Sequence, residues 1–142
     1  MTSAAFVAAL KPLLEARSGL VAIGCAVHLT WTPDVTAPAI VLIRSRVSHE
    51  VEWTRMGPKR TETGSIPGSV YTTAADVQTA ANQATVILDE IAATITPALP
   101  SVGAGTWKAE LGSIGWMAFP SDKGGYLIDA EYDITYTADL AA

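Results

Sequence analysis

The 142-residue chain is poor in the groups that most chemistry needs, since it has one cysteine, two histidines and only 16% charged residues. One cysteine excludes an intrachain disulfide, and we expect Cys25 to be a small buried apolar residue. No unbroken apolar run reaches the ~20 residues of a membrane span. The amino-terminal stretch also has no positive start before an apolar run. We therefore expect synthesis in the cytoplasm and no membrane partner.

The low charge has a consequence for assembly. A soluble monomer with so few charges must expose much uncharged surface, which favours a subunit that buries surface against copies of itself. Any such oligomer would use tryptophans as anchors, and all four lie on predicted strands, where core or interface positions are typical. They are Trp31, Trp53, Trp107 and Trp116. The net charge of −5 and pI near 4.8 disfavour a nucleic-acid-binding face.

Catalytic motifs are missing as well. The chain has no P-loop, no C-x-x-C and no H-E-x-x-H, and the run 112–115 is one residue short of a G-x-S-x-G elbow. His28 falls on the polar face of a predicted strand, where a solvated or interface histidine is the expected role, because metal sites need several converging ligands. We expect no enzymatic activity and no cofactor.

A long amphipathic helix over residues 73–96 is the clearest helical feature. One face repeats at helical spacing. Its members are Val77, Ala81, Ala84, Leu88, Ile91 and Ile95. Thr73 and Asp76 are placed to satisfy the first free amides, and Pro97 should end the helix near Ile95.

Strand patterns surround this helix. Residues 3–17 predict an amino-terminal helix that Pro12 bends or divides, and a β pattern begins at residue 20. Residues 39–47 and 50–55 are either one bulged ribbon or two strands, and residues 107–119 break register at Gly112. Residues 126–137 alternate strictly. The sequence thus predicts a single α+β domain over residues 1–142, with a mostly antiparallel sheet covered by one long helix plus an amino-terminal helix.

Residues 56–69 differ in character, since they contain three glycines and two prolines and have no periodicity. They predict a protruding loop, and a loop of this length in a compact domain is commonly functional. Arg55, Lys59, Arg60 and Glu62 cluster there. The segment is either a solvated hairpin tip or an arm that orders against a neighbouring subunit, and the low charge elsewhere favours the arm.

Asp129, Glu131 and Asp133 alternate along the last strand and form the main carboxylate group. Residues two apart on a strand are ~6.6–6.8 Å apart, so neighbours are close enough to share a cation. An acidic outer face also keeps a strand solvated and prevents edge-to-edge aggregation. A third possibility is electrostatic, because the same face repeated around a ring makes a strongly negative surface.

The order of these elements, in an acidic chain of this length, resembles the tail terminator proteins of long-tailed bacteriophages and related tail-completion proteins. The parts that carry the resemblance span nearly the whole chain. They are the helix 3–17, the strand pair 39–55, the arm 56–69, the helix 74–95 and the closing strands 107–119 and 126–137. The resemblance is a pattern of elements with no diagnostic short motif.

This resemblance implies a structural virion protein at the head–tail junction. Such proteins form a ring, usually of six subunits, that caps the tail tube and contacts head-completion proteins of the neck. DNA passes through the channel without specific binding, and channel-lining acids such as Asp129, Glu131 and Asp133 would repel it. The arm would contact the tube or an adjacent subunit. Alternatives are another neck or tail protein (head-closure, minor tail or tube subunit), or a small α+β ligand-binding protein or enzyme with an unrecognised site.

Overall fold

A computed structural model describes residues 2–29, 36–42, 47–54, 57–96, 105–122 and 124–140. It has three helices and six strands in these residues. They are α1 (Thr2–Glu15), α2 (Ser18–Ala22), β1 (Ala26–His28), β2 (Ala39–Leu42), β3 (Val47–Thr54), β4 (Gly57–Ala74), α3 (Val77–Ile95), β5 (Gly105–Pro120) and β6 (Tyr126–Leu140). The predicted α+β class is confirmed. None of the described helices is long and apolar enough to cross a membrane.

The six strands form one sheet in the order β1-β2-β4-β6-β5, and β3 also pairs with β4. Only β1 and β2 are parallel, so the sheet is mostly antiparallel, as predicted. The neighbouring strands β4 and β6 pair without interruption from Arg60↔Leu140 to Ala74↔Tyr126. This central pair sets the direction of the whole sheet.

Strict alternation on β6 produces the two faces that the sequence predicts. Ile128, Ala130, Tyr132, Ile134 and Tyr136 are buried against the helices, whereas their neighbours on the other face are exposed or half-buried. Because side chains alternate along a strand, a slip of one residue would move three carboxylates into the core. The pattern therefore specifies the register.

Helix α3 covers the core face of the sheet and begins where Asp76 accepts a hydrogen bond from the Thr79 amide at 2.9 Å. Its buried side chains are Ala80, Ala84, Ile87, Leu88, Ile91, Thr94 and Ile95. The predicted face was wrong at its first turn, because Val77 is exposed and Ala81 is half-buried. Ala80 is the buried residue of this turn instead, and its carbonyl oxygen accepts a 2.7 Å hydrogen bond from the buried Thr72 hydroxyl.

The amino-terminal region differs from two expectations. Pro12 does not divide α1, because proline removes one backbone bond while buried Leu10 and Leu14 hold the helix against the core. Residues 18–22 form helix α2 and not the start of a strand, and the amides of Leu20 and Val21 donate to the Arg17 carbonyl oxygen. These local hydrogen bonds compete with sheet pairing until β1 begins.

The predicted irregular loop at residues 56–69 is also corrected, since Gly57 onwards belongs to strand β4. Its prolines and glycines suggested a loop because they weaken ordinary strands. Pro67 is tolerated because residues 65–67 fall between the β2 and β3 pairings, where no described strand lies beside that edge of β4. Gly64 and Gly68 leave space for the side chains of Tyr136 and Tyr132.

Strands β2 and β3 run along the same edge of β4. The pair Leu42↔Gly68 is followed by Val47↔Gly64, so five steps along one strand match four along the other. Residues 43–46, on which the choice between one bulged ribbon and two strands depends, lie outside the described part. Strand β5 is likewise continuous, with the predicted register shift between Leu111 and Ile114.

Two buried tyrosines on β6 lie directly across from glycines on β4, in the pairs Gly68↔Tyr132 and Gly64↔Tyr136. A Cβ at Gly68 would overlap the Tyr132 hydroxyl and the Val41 carbonyl oxygen. That hydroxyl donates a 3.2 Å hydrogen bond to the Val41 carbonyl, and burial raises the pKa of the Tyr132 phenol. Glycine is therefore required by the close approach of the ring.

We predict that Gly68→Ala lowers the free energy of unfolding by about 1–3 kcal/mol, because the added methyl overpacks the core. Urea unfolding followed by tryptophan fluorescence measures the change. Gly115→Ala is the matched control, because a Cβ there meets nothing within 4 Å. Equal stability of Gly68→Ala and the wild type would contradict the packing role assigned to Gly68.

Candidate functional site

The predicted carboxylate group lies on the outer face of the sheet, opposite the helices. Alternation along β6 places Asp129, Glu131 and Asp133 there, because the residues between them are buried in the core. Their register partners on β4 are Tyr71, Ser69 and Pro67, in that order. The structure thus brings the three acids onto one face, in the middle of the sheet.

A groove of about 550 Å³ runs over this face. Residues from β4, β5 and β6 line it. They are Pro67, Gly68, Ser69, Ile114, Gly115, Glu131, Tyr132 and Asp133. Gly115 stands across from Glu131 in the β5–β6 pairing, so the missing side chain opens the groove beside a carboxylate. This surface can accept a short polar or cationic group, or the side chains of a neighbouring protein.

The acids differ in environment. Glu131 is exposed, whereas Asp129 is half-buried, and its Oδ1 atom is buried without a hydrogen-bond partner among the described residues. Burial raises the pKa of the Asp129 carboxyl, and the nearby Glu131 charge raises it further, while a hydrogen bond with Ser69 acts in the opposite direction. Burial therefore disfavours the charged form of Asp129 in the folded chain.

The cation interpretation of this face receives no support from geometry. Within the described part of the chain, no three His, Cys, Asp or Glu residues are grouped so that they could hold a metal ion. His28 is half-buried on β1, and strands β2 and β4 separate β1 from β6 in the sheet. Cys25 is half-buried as well, and burial raises the pKa of its thiol to about 11. That environment keeps the thiol protonated and unreactive.

Three of the four predicted arm residues belong to a β-hairpin. Lys59, Arg60 and Glu62 lie on β4, whereas Arg55 lies outside the described residues. The β4–β6 pairing starts at Arg60, so residues 57–59 pair only with β3 in the described structure. The hairpin therefore extends past the end of the three-stranded part of the sheet.

The second half of β5 forms a surface that the sequence analysis named only through Trp116, as one of four possible interface anchors. Ile114 and Trp116 share the core-side face with Tyr132 and Ala130, yet both are exposed. Met117 and Phe119, on the outer side, are exposed too. The signal was present in the sequence, since residues 111–119 contain no charged side chain on a predicted strand.

We predict that Asp129→Asn gains stability relative to the wild type as pH rises from about 3 to about 7. A raised folded-state pKa means that the folded chain binds this proton more tightly than the unfolded chain, whose carboxyl keeps its ordinary value near 3.8. Stability from this group is therefore greatest at low pH and is lost as pH rises through the folded-state pKa.

Urea unfolding of both chains across this pH range measures the difference. Asp122→Asn, which changes an exposed carboxylate in a turn, is the control. A stability difference between Asp129→Asn and the wild type that stays constant with pH would refute the assigned burial cost.

Comparison with known proteins adds one finding to this geometry. No protein-family model matches the chain, and no curated protein matches it in sequence. Among solved structures, the fold is similar to that of a chain in the virion of a native gene transfer agent particle. The TM-score is 0.53 and the sequence identity is 17%, over 99% of this chain and 98% of that chain. The two chains therefore share a fold along their full lengths.

Proposed function

We propose that the chain is a structural subunit of a phage-like virion, and specifically a ring-forming tail terminator at the head–tail junction. The observation that carries this proposal is the fold shared, end to end, with a chain of a gene transfer agent virion. In this role the ring, usually of six copies, caps the tail tube and joins it to head-completion proteins. Another neck or tail position is the alternative within the same class.

The two faces of the sheet suit a ring with a channel. Helices α1 and α3 cover one face, and the other carries Glu131 together with half-buried Asp129 and Asp133. We place the acidic face toward the channel, because repeated carboxylates repel the phosphate backbone of passing DNA. An acidic channel lets DNA slide without binding it.

The hairpin of β3 and β4 supplies the contact with the tail tube. Residues 57–59 pair only with β3 in the described structure, and Lys59 and Arg60 are basic residues of this hairpin in a chain whose net charge is −5. Charges of opposite sign at such contacts steer association and fix register. Glu62 and Arg55 complete the proposed contact group.

We further propose that the chain has no catalytic role. The raised pKa of Cys25 argues against a thiol nucleophile. The described residues also hold no grouped metal ligands. A ligand-binding protein or enzyme is the alternative, and it would use an open groove such as the one on the outer face.

The test is tube capping. Purified chain is added to tail tubes assembled from the tube protein of the same virus, and negative-stain images are scored for rings at tube ends and for arrested growth. We expect rings with a central hole at one end of each tube. Tubes that grow unchanged and never carry the chain would overturn the terminator role, and binding to head-closure rings alone would favour the other neck position.

We predict that a hairpin without its tip associates more weakly with tail tubes while the fold persists, because the variant removes Arg55 and the turn but keeps Lys59, Arg60 and Glu62. Replacing residues 53–58 by Asn-Gly joins Glu52 to Lys59, which already face each other across the ribbon, by a two-residue turn of the type that hairpins favour. We expect an unchanged circular dichroism spectrum and at least a roughly tenfold weaker tube association, as the loss of about 1.4 kcal/mol would give. Normal capping by this variant would show that the tip makes no tube contact.

A further inference from the structure

Strand β5 ends the described sheet, and its second half is apolar on both sides. Trp116 is 45% exposed on the helix side and Met117 is 49% exposed on the outer side. Ile114 and Phe119 extend these two rows. A partner that packs against one face of the sheet would leave the apolar side chains on the other face exposed. This edge strand therefore needs a partner that reaches both faces.

Natural edge strands usually carry charges, prolines or bulges that prevent pairing with other chains. Residues 111–119 carry no charge, and the bulge lies before Ile114, so the apolar half runs regularly to Pro120. Tyr126 on β6 is a fifth large exposed side chain beside this strand, and each of the five exposes between 38% and 49% of its surface. Together they present roughly 300–500 Å² of mostly apolar area. That is a large part of the ~800 Å² that each partner contributes to a stable interface.

The opposite side of the sheet has a second uncharged surface. Strand β1 lies at that end of the strand order, and helix α2 precedes it in the chain. Val21 is 63% exposed on α2, and Ala26 and Leu29 are exposed on and just after β1. Residues 18–29 contain no Lys, Arg, Asp or Glu.

We infer that the β5 edge of one copy docks against the α2–β1 surface of a second copy of this chain. The inference rests on the proposed ring, because a closed ring needs two different complementary patches on opposite sides of each subunit. The α2–β1 surface offers both a strand and a helix, and so it can cover the outer and the helix side of β5 together. Residues 111–119 and 18–29 contain no Lys, Arg, Asp or Glu, which limits like-charge contacts where two chains of net charge −5 meet. The Arg17–Glu90 ion pair lies beside α2, with the Glu90 carboxylate against Gly19.

In this arrangement each sheet continues into the next around the ring. The acidic face of β6 then points to one side of the wall and α3 to the other. The contact is head-to-tail, and so it differs from a two-fold β5–β5 dimer, in which α2 and β1 would remain free.

Two single variants separate these cases. Trp116→Glu places a charge on the first patch and Val21→Glu places one on the second, both at positions that are already exposed. Val86→Glu is the matched control, because Val86 is 49% exposed on α3 and belongs to neither patch. Sedimentation velocity over a concentration series measures the mass, and circular dichroism confirms folding. Trp116→Gln and Val21→Gln repeat the test without an added charge.

We expect rings for the wild type and for Val86→Glu. Each patch variant should raise the concentration needed for half-assembly by roughly 30-fold or more, as the removal of an interface hot spot does. An equimolar mixture of Trp116→Glu and Val21→Glu should stop at dimers, because it contains one intact β5 edge and one intact α2–β1 surface that can meet only once.

Several outcomes would overturn the contact. Rings that survive both variants place the interface elsewhere and leave the terminator role intact. Loss of assembly in Trp116→Glu alone indicates the two-fold dimer, and a wild type that is monomeric at every concentration excludes the contact. Conversely, rings that depend on both patches but never cap tail tubes support the contact and refute the proposed function.

Discussion

The close approach of two tyrosine rings to two glycines holds the centre of the sheet together. Tyr132 and Tyr136 are buried where Gly68 and Gly64 leave space for them, and the Tyr132 hydroxyl also reaches the Val41 carbonyl on β2. One side chain thus links three strands. Because only glycine fits opposite each ring, the β4–β6 register has one arrangement that satisfies the core.

The rest of the fold follows from that register. It directs the even-numbered side chains of β6 to α3 and leaves the odd-numbered acids on the outer face. On the core side, α3 is tied to the sheet by the buried hydrogen bond from Thr72 to Ala80 and to the α1–α2 junction by the Arg17–Glu90 ion pair at 2.8 Å. Since that pair is partly exposed, its contribution to stability is small, and the apolar contacts carry the packing.

The same register explains why the sheet ends unprotected. Helix α3 packs over the middle strands, so the far half of β5 stays exposed on both sides. A chain with 16% charged residues has few charges with which to protect such an edge. Three of its acids lie side by side on the outer face of β6. The apolar edges and the acidic face are the two features on which the proposed ring and its channel rest.

The sequence alone determined those elements whose signals are local. Strict alternation predicted β6, Gly112 marked the bulge in β5, and helical spacing with Pro97 predicted the carboxyl end of α3 near Ile95. It also placed Asp129, Glu131 and Asp133 on one face, because the period of a strand is independent of its partners. Only the tertiary structure decided the fate of residues 57–69, which look like a loop until Tyr132 and Tyr136 on a distant strand give the glycines a role. The same holds for the exposure of Trp116, since an apolar strand pattern does not reveal whether a helix or a second chain will cover it. Periodicity is a property of the backbone, whereas burial depends on what lies across from each side chain.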